Sequence, residues 1–298
     1  MLQEKMEKAM ARAFDYNEFL KFQNRTQAEV DEFRRLAFKK KSLSKFVPDQ
    51  ILLIFLSNER SIEEALEKLL LFSKLKRHNP EAFRHREPYS DEIRTTFKNQ
   101  NFFYLPPTPE GYSVIYGSLK DFSVSTFNME SLVKAFFMTA ETCFFKQGPQ
   151  RGIIFIVDMK GGKLMHLSKI NLKMIKMGLK FALDGSPVRI VAYHILNAVP
   201  FYNLIMQIMR PWARKELKEL LPLASKEHSE CTRPFVEITF LIAANHVPRS
   251  CLPSDYGGDL ESVEVLSKKN YDEMQTMEDY FALDEEETYA LESESEEE

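Results

Sequence analysis

The chain has 298 residues, 44% of them hydrophobic and 28% charged, which is ample apolar chain to bury a core. Its 24 Phe and 11 Tyr exclude disorder throughout, and 10 Gly with 14 Pro exclude a collagen-like fibre. Three widely spaced cysteines, Cys143, Cys231 and Cys251, exclude a disulfide scaffold and suit a reducing compartment. The net charge of −4 conceals an acidic end: Asp284–Glu298 holds nine acidic residues and no Lys or Arg, and removing them leaves +5 on residues 1–283. A mildly basic body permits an anionic surface as partner without demanding one.

In chain order, Gln3–Phe22 and Gln27–Lys40 have helical apolar spacing among many charges. Pro48 and Asp49 open an apolar helix, Gln50–Leu56, and Ser61 caps another, Ile62–Leu75. After Pro88 the composition changes to prolines, aromatics and short β-type runs, Phe102–Leu105 and Tyr112–Tyr116. Met129–Phe145 reads as a helix with an apolar stripe, and Gly152–Val157 as a buried strand ended by Asp158. A second amphipathic helix covers Ser168–Leu183, a strand Val188–Leu196, a helix Phe201–Leu221 and a last strand Phe235–Ala243. Strands alternating with helices predict an α/β fold with a mostly parallel sheet behind an N-terminal helical bundle. Such sheets place ligands near the carboxyl ends of their strands. From Asp284 the tail reads as disordered and solubilising, with Ser293 and Ser295 among glutamates of the kind acid-directed kinases favour.

The apolar runs Ile51–Leu56 and Gly152–Val157 are far shorter than the roughly 18–20 residues a spanning helix needs. The mixed-charge start, Met1-Leu2-Gln3-Glu4-Lys5, has neither a signal-peptide core nor a glycine for myristoylation, so a cytoplasmic protein is expected. No G-x-G-x-x-G, P-loop, G-x-S-x-G, H-E-x-x-H or paired-cysteine zinc spacing occurs. His78, His85, His166, His194, His228 and His246 are scattered, and His194 reads as a hydrogen-bonded histidine of a buried strand. The expectation is therefore no enzyme, no catalytic residue, no metal and no cofactor. The small body charge and the lack of a basic-aromatic ladder argue against nucleic acid as partner.

Six segments in order resemble the CRAL-TRIO lipid-binding family, particularly its α-tocopherol transfer and cellular retinaldehyde-binding members. They are Asp49 with Leu52, Phe55-Leu56 and Ala65-Leu66; Asn79-Pro80-Glu81-Ala82-Phe83; and Gly152–Asp158 continuing to Gly161. The others are Val191–Asn197 followed by Pro200; Met209-Arg210-Pro211-Trp212; and Cys251–Gly258, which carries Leu252-Pro253 and Tyr256-Gly257-Gly258. The resemblance spans roughly residues 47–260. It implies a helical domain over 1–88 with its module at about 47–83, and a lipid-binding domain over 89–260. A helical extension, 261–283, and the disordered tail, 284–298, complete the expected organisation.

The family's ligand occupies an apolar cavity floored by the sheet and closed by a mobile gate helix, here 197–221. The resemblance places Tyr202, Ile205, Met206 and Met209 on the gate's inner face, at spacings that share one side of a helix. It places Ile153, Phe155, Val157, Val188, Ile190 and Tyr193 on the sheet side, and Phe136, Ala140, Met177 and Phe181 on flanking helices. Strand alternation lets only some of the sheet set face the cavity, and the sequence leaves both parities open. Some members also bind phosphoinositide in a basic cleft beside the gate. Here Arg189, Arg210, Arg214, Lys215 and Lys218 could supply one, although Ser57, Glu216, Glu219 and Leu220 replace basic family positions. The function implied is a monomeric cytoplasmic carrier of a tocopherol, retinoid, other isoprenoid or phospholipid, visiting membranes transiently. The alternative is a phosphoinositide-binding adaptor in membrane traffic that moves no cargo.

Overall fold

The computed structural model describes residues 10, 13–43, 47–212 and 247–295, with side chains to residue 290. Short polar residues start the N-terminal helices. Asp15 accepts from the Glu18 N–H at 2.9 Å ahead of α1 (Tyr16–Phe22), and Thr26 forms a reciprocal capping box with Glu29 ahead of α2 (Gln27–Phe38). Of the helix expected over Gln3–Phe22, the described residues include Met10, which is helical, and Tyr16–Phe22, which Asp15 starts afresh. Before it the Phe14 N–H donates to the Phe145 carbonyl at 3.0 Å. Pro48 precedes α3 (Asp49–Asn58), Ser61 caps α4 (Ile62–Arg77), Pro80 opens α5 (Pro80–Phe83) and Ser90 caps α6 (Asp91–Asn99).

β1 (Gln100–Leu105) and β2 (Tyr112–Leu119) form an antiparallel pair. α7 (Met129–Gln147) then crosses to β3 (Gly152–Asp158), and α8 (Leu172–Lys180) crosses to β4 (Ile190–Leu196). The sheet order is β1-β2-β3-β4, with β2–β3 and β3–β4 parallel, as connections through helices require. α8 starts later than Ser168, because Asn171 caps it by accepting from the Lys173 N–H at 3.0 Å. The residues before it form a 3-10 turn, Leu164–Lys169, and α8 ends in a π turn, Phe181–Gly185. α9 (Tyr202–Met209) follows β4, and the expected strand Phe235–Ala243 lies outside the described residues. Among the described residues, no helix is long and apolar enough to cross a membrane.

The two sheet faces have separate partners. Ile115, Ile153 and Phe155 face α7, where they share one buried cluster with Ala140, Cys143 and Phe144 and with Phe33, Leu52, Leu53 and Phe55 of the N-terminal helices. Val114, Tyr116, Ile154, Ile156, Ala192 and Leu196 face the other way, against Val247, Leu252 and Val263. α10 (Val263–Gln275) runs along β1, so the antiparallel edge is covered rather than open.

The disordered tail expected from Asp284 is corrected by α11, Glu278–Ser295; residues 296–298 lie outside the described ones. The reason is a buried ion cluster. Lys76 Nζ reaches Glu141 at 3.1 Å and Asp284 at 2.8 Å, while Arg86 pairs with Glu141 at 3.0 Å and also with Asp284. The Tyr280 hydroxyl donates to Glu141 at 3.2 Å, and the Tyr289 hydroxyl to the Lys76 carbonyl at 3.0 Å. Two buried cations in apolar surroundings need two anions, and α11 brings the second. Burial alone would raise the Asp284 carboxyl, but Lys76 and Arg86 outweigh it and hold the group below the ordinary carboxylate range.

Arg86→Met leaves Asp284 and Glu141 short of a fully buried partner, and is expected to destabilise the protein by about 3–5 kcal/mol in urea denaturation. Arg94→Met, at an exposed pair with Asp91, should change stability by less than about 1 kcal/mol. Because the Asp284 carboxyl is depressed, its stabilisation is present above the unfolded-state value and is lost as pH falls through the lower folded one. The denaturation midpoint of Asp284→Asn is therefore expected to be flatter than wild type in acid.

Candidate functional site

The carboxyl end of β3 is a hydrogen-bond knot. The Asp158 carboxylate accepts from the Lys160 N–H and from Asn197 Nδ2, both at 2.8 Å, on one oxygen. Its other oxygen accepts from the Tyr256 hydroxyl at 2.5 Å and faces the Tyr116 hydroxyl at 3.5 Å. Burial, then the Asp158 charge, pushes the Tyr116 hydroxyl up, and burial followed by Tyr116 does the same for Tyr256. Three sequence segments noted separately, those of Asp158, Asn197 and Tyr256, thus meet at one carboxylate. Asn197 sits in the left-handed region with φ 50, which turns the chain from β4 toward α9. The knot sets where α9 begins.

α9 lies against α8. Met206, Met209 and Trp212 pack with Ile175, Leu179 and Leu183 and with Tyr193 of β4. Tyr202 is buried at the start of α9, whereas Ile205, Met206 and Met209 are half-buried. Burial pushes the Tyr202 hydroxyl up to about 12, and burial followed by Tyr202 raises that of Tyr193. Both phenols are therefore neutral near pH 7 and can donate hydrogen bonds in apolar surroundings.

An irregularity in β4 shifts that strand's alternation. Ile153 pairs with Ile190 but Ile154 pairs with Ala192, so Val191 is an extra residue that shifts the alternation. Ile190 and Tyr193, three apart, therefore both pack toward the α7 side with Ile153 and Phe155. Gly152 makes room for the shift, since a Cβ there would lie 2.5 Å from a Val191 methyl.

The residues expected to line a ligand site fall into three touching groups. Ala140, Ile153, Phe155 and Val188 are buried together, with Phe136, Ile190 and Tyr193 against them. Met177 and Phe181 pack elsewhere, with Leu75, Phe83 and Phe137 beside α4 and α5. Met206 and Met209 form the third group. Phe136 bridges the first two and Tyr193 the first and third. Val157, half-buried opposite Ile195, and Tyr202 and Ile205 of α9 are in none of them. Sequence reasoning missed Ile175, Leu179 and Leu183, although their spacing of four residues on α8 was a visible signal. It also missed Phe137, whose ring stacks on Phe83 at 4.9 Å and lies 4.5 Å from Phe181.

A cavity of about 100 Å³ lies between α3, α4, α7 and α11, with Ile51, Phe55, Leu69 and Phe72 as apolar wall and Lys76, Glu141 and Asp284 as polar floor. None of the expected ligand residues lines it. Of the expected basic cleft, Arg189 is exposed and donates to the Arg151 carbonyl at 3.2 Å, and Arg210 is exposed at the end of α9. No described contact brings the two together, and Arg214, Lys215 and Lys218 lie outside the described residues. Burial pushes the Cys143 thiol up to about 12, which leaves it protonated and a poor nucleophile.

The family model described as CRAL/TRIO domain matches residues 97–258, more than half of the chain and all four of the described strands. The chain belongs to the CRAL/TRIO family. The matched CRAL/TRIO span contains Asp158, Asn197 and Tyr256 and ends at the second glycine after that tyrosine. Among curated proteins, the chain is similar to "Alpha-tocopherol transfer protein-like" of Homo sapiens and of Pongo abelii, 24% identical over 229 residues in each case. The alignment covers 76% of this chain and 63% of each relative, so the chain spans less than two thirds of their length. The Mus musculus protein of the same name is 24% identical over 228 residues, covering 76% and 62%.

Within this CRAL/TRIO core, Asn197→Gly keeps the left-handed turn but loses the bond to Asp158, whereas Asn197→Ala loses both. The alanine variant is expected to be less stable than the glycine variant by about 1 kcal/mol in denaturant unfolding. Tyr202 should titrate with a step near pH 12 in ultraviolet absorbance, absent from Tyr202→Phe. Since its folded value is raised, the stability it contributes is complete below the ordinary tyrosine range and lost as pH rises toward 12.

Proposed function

We propose that this chain is a carrier that holds one small hydrophobic lipid beneath α9 and passes it between membranes when α9 moves away. The observation that carries the reading is the apolar inner side of α9: Met206 and Met209 lie over Leu179 and Tyr193, between a sheet face and a helix. Such a side must cover either apolar protein, an apolar ligand or a membrane. Exposing it to water costs roughly 25 cal/mol per Å², and exposing it to a bilayer costs far less. Loaded and closed in water, open at a membrane, is the cycle those energies favour. The name of the curated relatives, alpha-tocopherol transfer protein-like, supports the cargo class of tocopherol, retinoid, other isoprenoid or phospholipid.

The sheet side of the site is Phe155, Ile190 and Tyr193, and the helix side is Phe136 and Ala140. The carrier acts as a cytoplasmic monomer with no catalytic step. Phosphoinositide, if it takes part, meets Arg189 and Arg210 together with Arg214, Lys215 and Lys218.

A second reading is favoured by one observation. The Phe136 and Phe155 rings lie 5.5 Å apart, and Phe155 and Tyr193 6.0 Å apart, so aromatic side chains occupy the space between α7 and the sheet. A site plugged by its own rings suits a phosphoinositide-binding adaptor in membrane traffic. Mass spectrometry of organic extracts from protein purified out of an animal-cell lysate separates the two. The carrier predicts one apolar species at one per chain, lost together with vesicle-to-vesicle transfer in Met206→Asp/Met209→Asp. An empty protein whose vesicle binding needs phosphoinositide would establish the adaptor instead.

A further inference from the structure

Between Asp158 and Asp184 the chain carries six lysines, Lys160, Lys163, Lys169, Lys173, Lys176 and Lys180, and no acidic residue. All six are exposed. On α8 the last three follow at spacings of three and four, which places them on one face, while Met174, Met177 and Leu179 are buried elsewhere around the helix. Like charges at such spacings destabilise a helix, and nothing within the helix offsets them. Among the described residues only Lys173 has an ion-pair partner, Glu81. Nearby acids include Asp121, which feels the charge of Lys163, Glu130, which accepts from Asn171, and Asp184, four residues after Lys180.

The same segment exposes large aliphatic side chains. Leu164 is 57% exposed, Met165 64% and Leu172 50%. They are presented by a fixed frame. His166 is buried beside them with its ring edge-on to Phe127 at 5.2 Å, and its Nδ1 accepts from the Lys163 N–H at 2.9 Å. The Asn171 side chain donates to Glu130 at 3.0 Å and its N–H reaches Met129 Sδ at 3.3 Å. Aliphatic tips held outward between lysines have no use in water, where the tips are exposed and the charges repel.

We propose that residues 160–180 form a docking surface for an anionic lipid bilayer, with Leu164, Met165 and Leu172 entering the headgroup boundary and the lysines meeting lipid phosphate and carboxylate. The proposal deepens the carrier reading, on which it rests for its purpose. α8 is the helix against which Met206 and Met209 pack, so a bilayer held by its lysine face lies next to the element that must move. Each lysine near an anionic leaflet adds attraction that salt screens, and each buried aliphatic side chain adds attraction that salt leaves in place.

The test is binding of the full chain to vesicles of phosphatidylcholine alone and of phosphatidylcholine mixed with phosphatidylserine. Tighter binding to the mixed vesicles, weakened by salt, is expected. Lys163→Gln/Lys169→Gln/Lys176→Gln should weaken it about tenfold or more. Lys39→Gln/Lys40→Gln/Lys41→Gln, which removes the same charge from another exposed stretch, should not. Leu164→Ser/Met165→Ser should remove the part that survives high salt. Equal losses in the two lysine variants, or equal binding to neutral vesicles, would overturn the proposal, as would failure to bind any vesicle, the outcome if the surface serves an acidic protein. Lipid content measured on the same preparations keeps the carrier reading separate: docking lost with cargo retained tests this surface alone.

Discussion

A carboxylate at the buried end of a strand has to be paired, and Asp158 is paired by parts of the chain that are otherwise distant. Asn197 brings in the turn that leads to α9, and Tyr256 brings in the segment that closes the far face of the sheet. Tyr116 reaches the same oxygen from β2. The position of α9 over Leu179 and Tyr193 follows from this one anion, because the chain leaves β4 only through the turn at Asn197. The knot is thus structural in its chemistry, and the element it aims is α9.

The second constraint is the pair of buried cations. Lys76 comes from α4, Arg86 from the link before α6, Glu141 from α7 and Asp284 from α11, so the cluster joins the N-terminal helices, the sheet domain and the last helix. Aromatic rings complete the enclosure, with Lys76 Nζ 4.5 Å from the Phe72 centroid and Arg86 5.2 Å from that of Phe281. The helices before residue 89 and the sheet domain also share one apolar core. The two regions are distinct in composition and continuous in packing.

Much of this was legible in the residues. The β-branched run Gly152–Val157 could only be a buried strand, and the cap Ser61 marks a helix start by ordinary chemistry. Three things were not. The extra residue at Val191 has no local signature, since it arises from register against β3, and it alone brings Ile190 and Tyr193 to one face. Met177 and Phe181 share a helix-and-turn segment with Leu179 yet pack against Phe83 and Phe137, a division decided by neighbours far along the chain. The acidic end looked disordered because composition counts its charges, whereas its order comes from Asp284, whose partners lie 208 and 198 residues earlier.

That last separation has a bearing on how the chain is made. Synthesis delivers Lys76, Arg86 and Glu141 long before Asp284. In the interval two cations share a single anion, and the seam between the first helices and α7 holds a charge it cannot bury. Full charge balance at that seam therefore waits for α11. α11 supplies the missing anion, so a chain still short of Asp284 keeps an uncompensated cation between its N-terminal helices and α7.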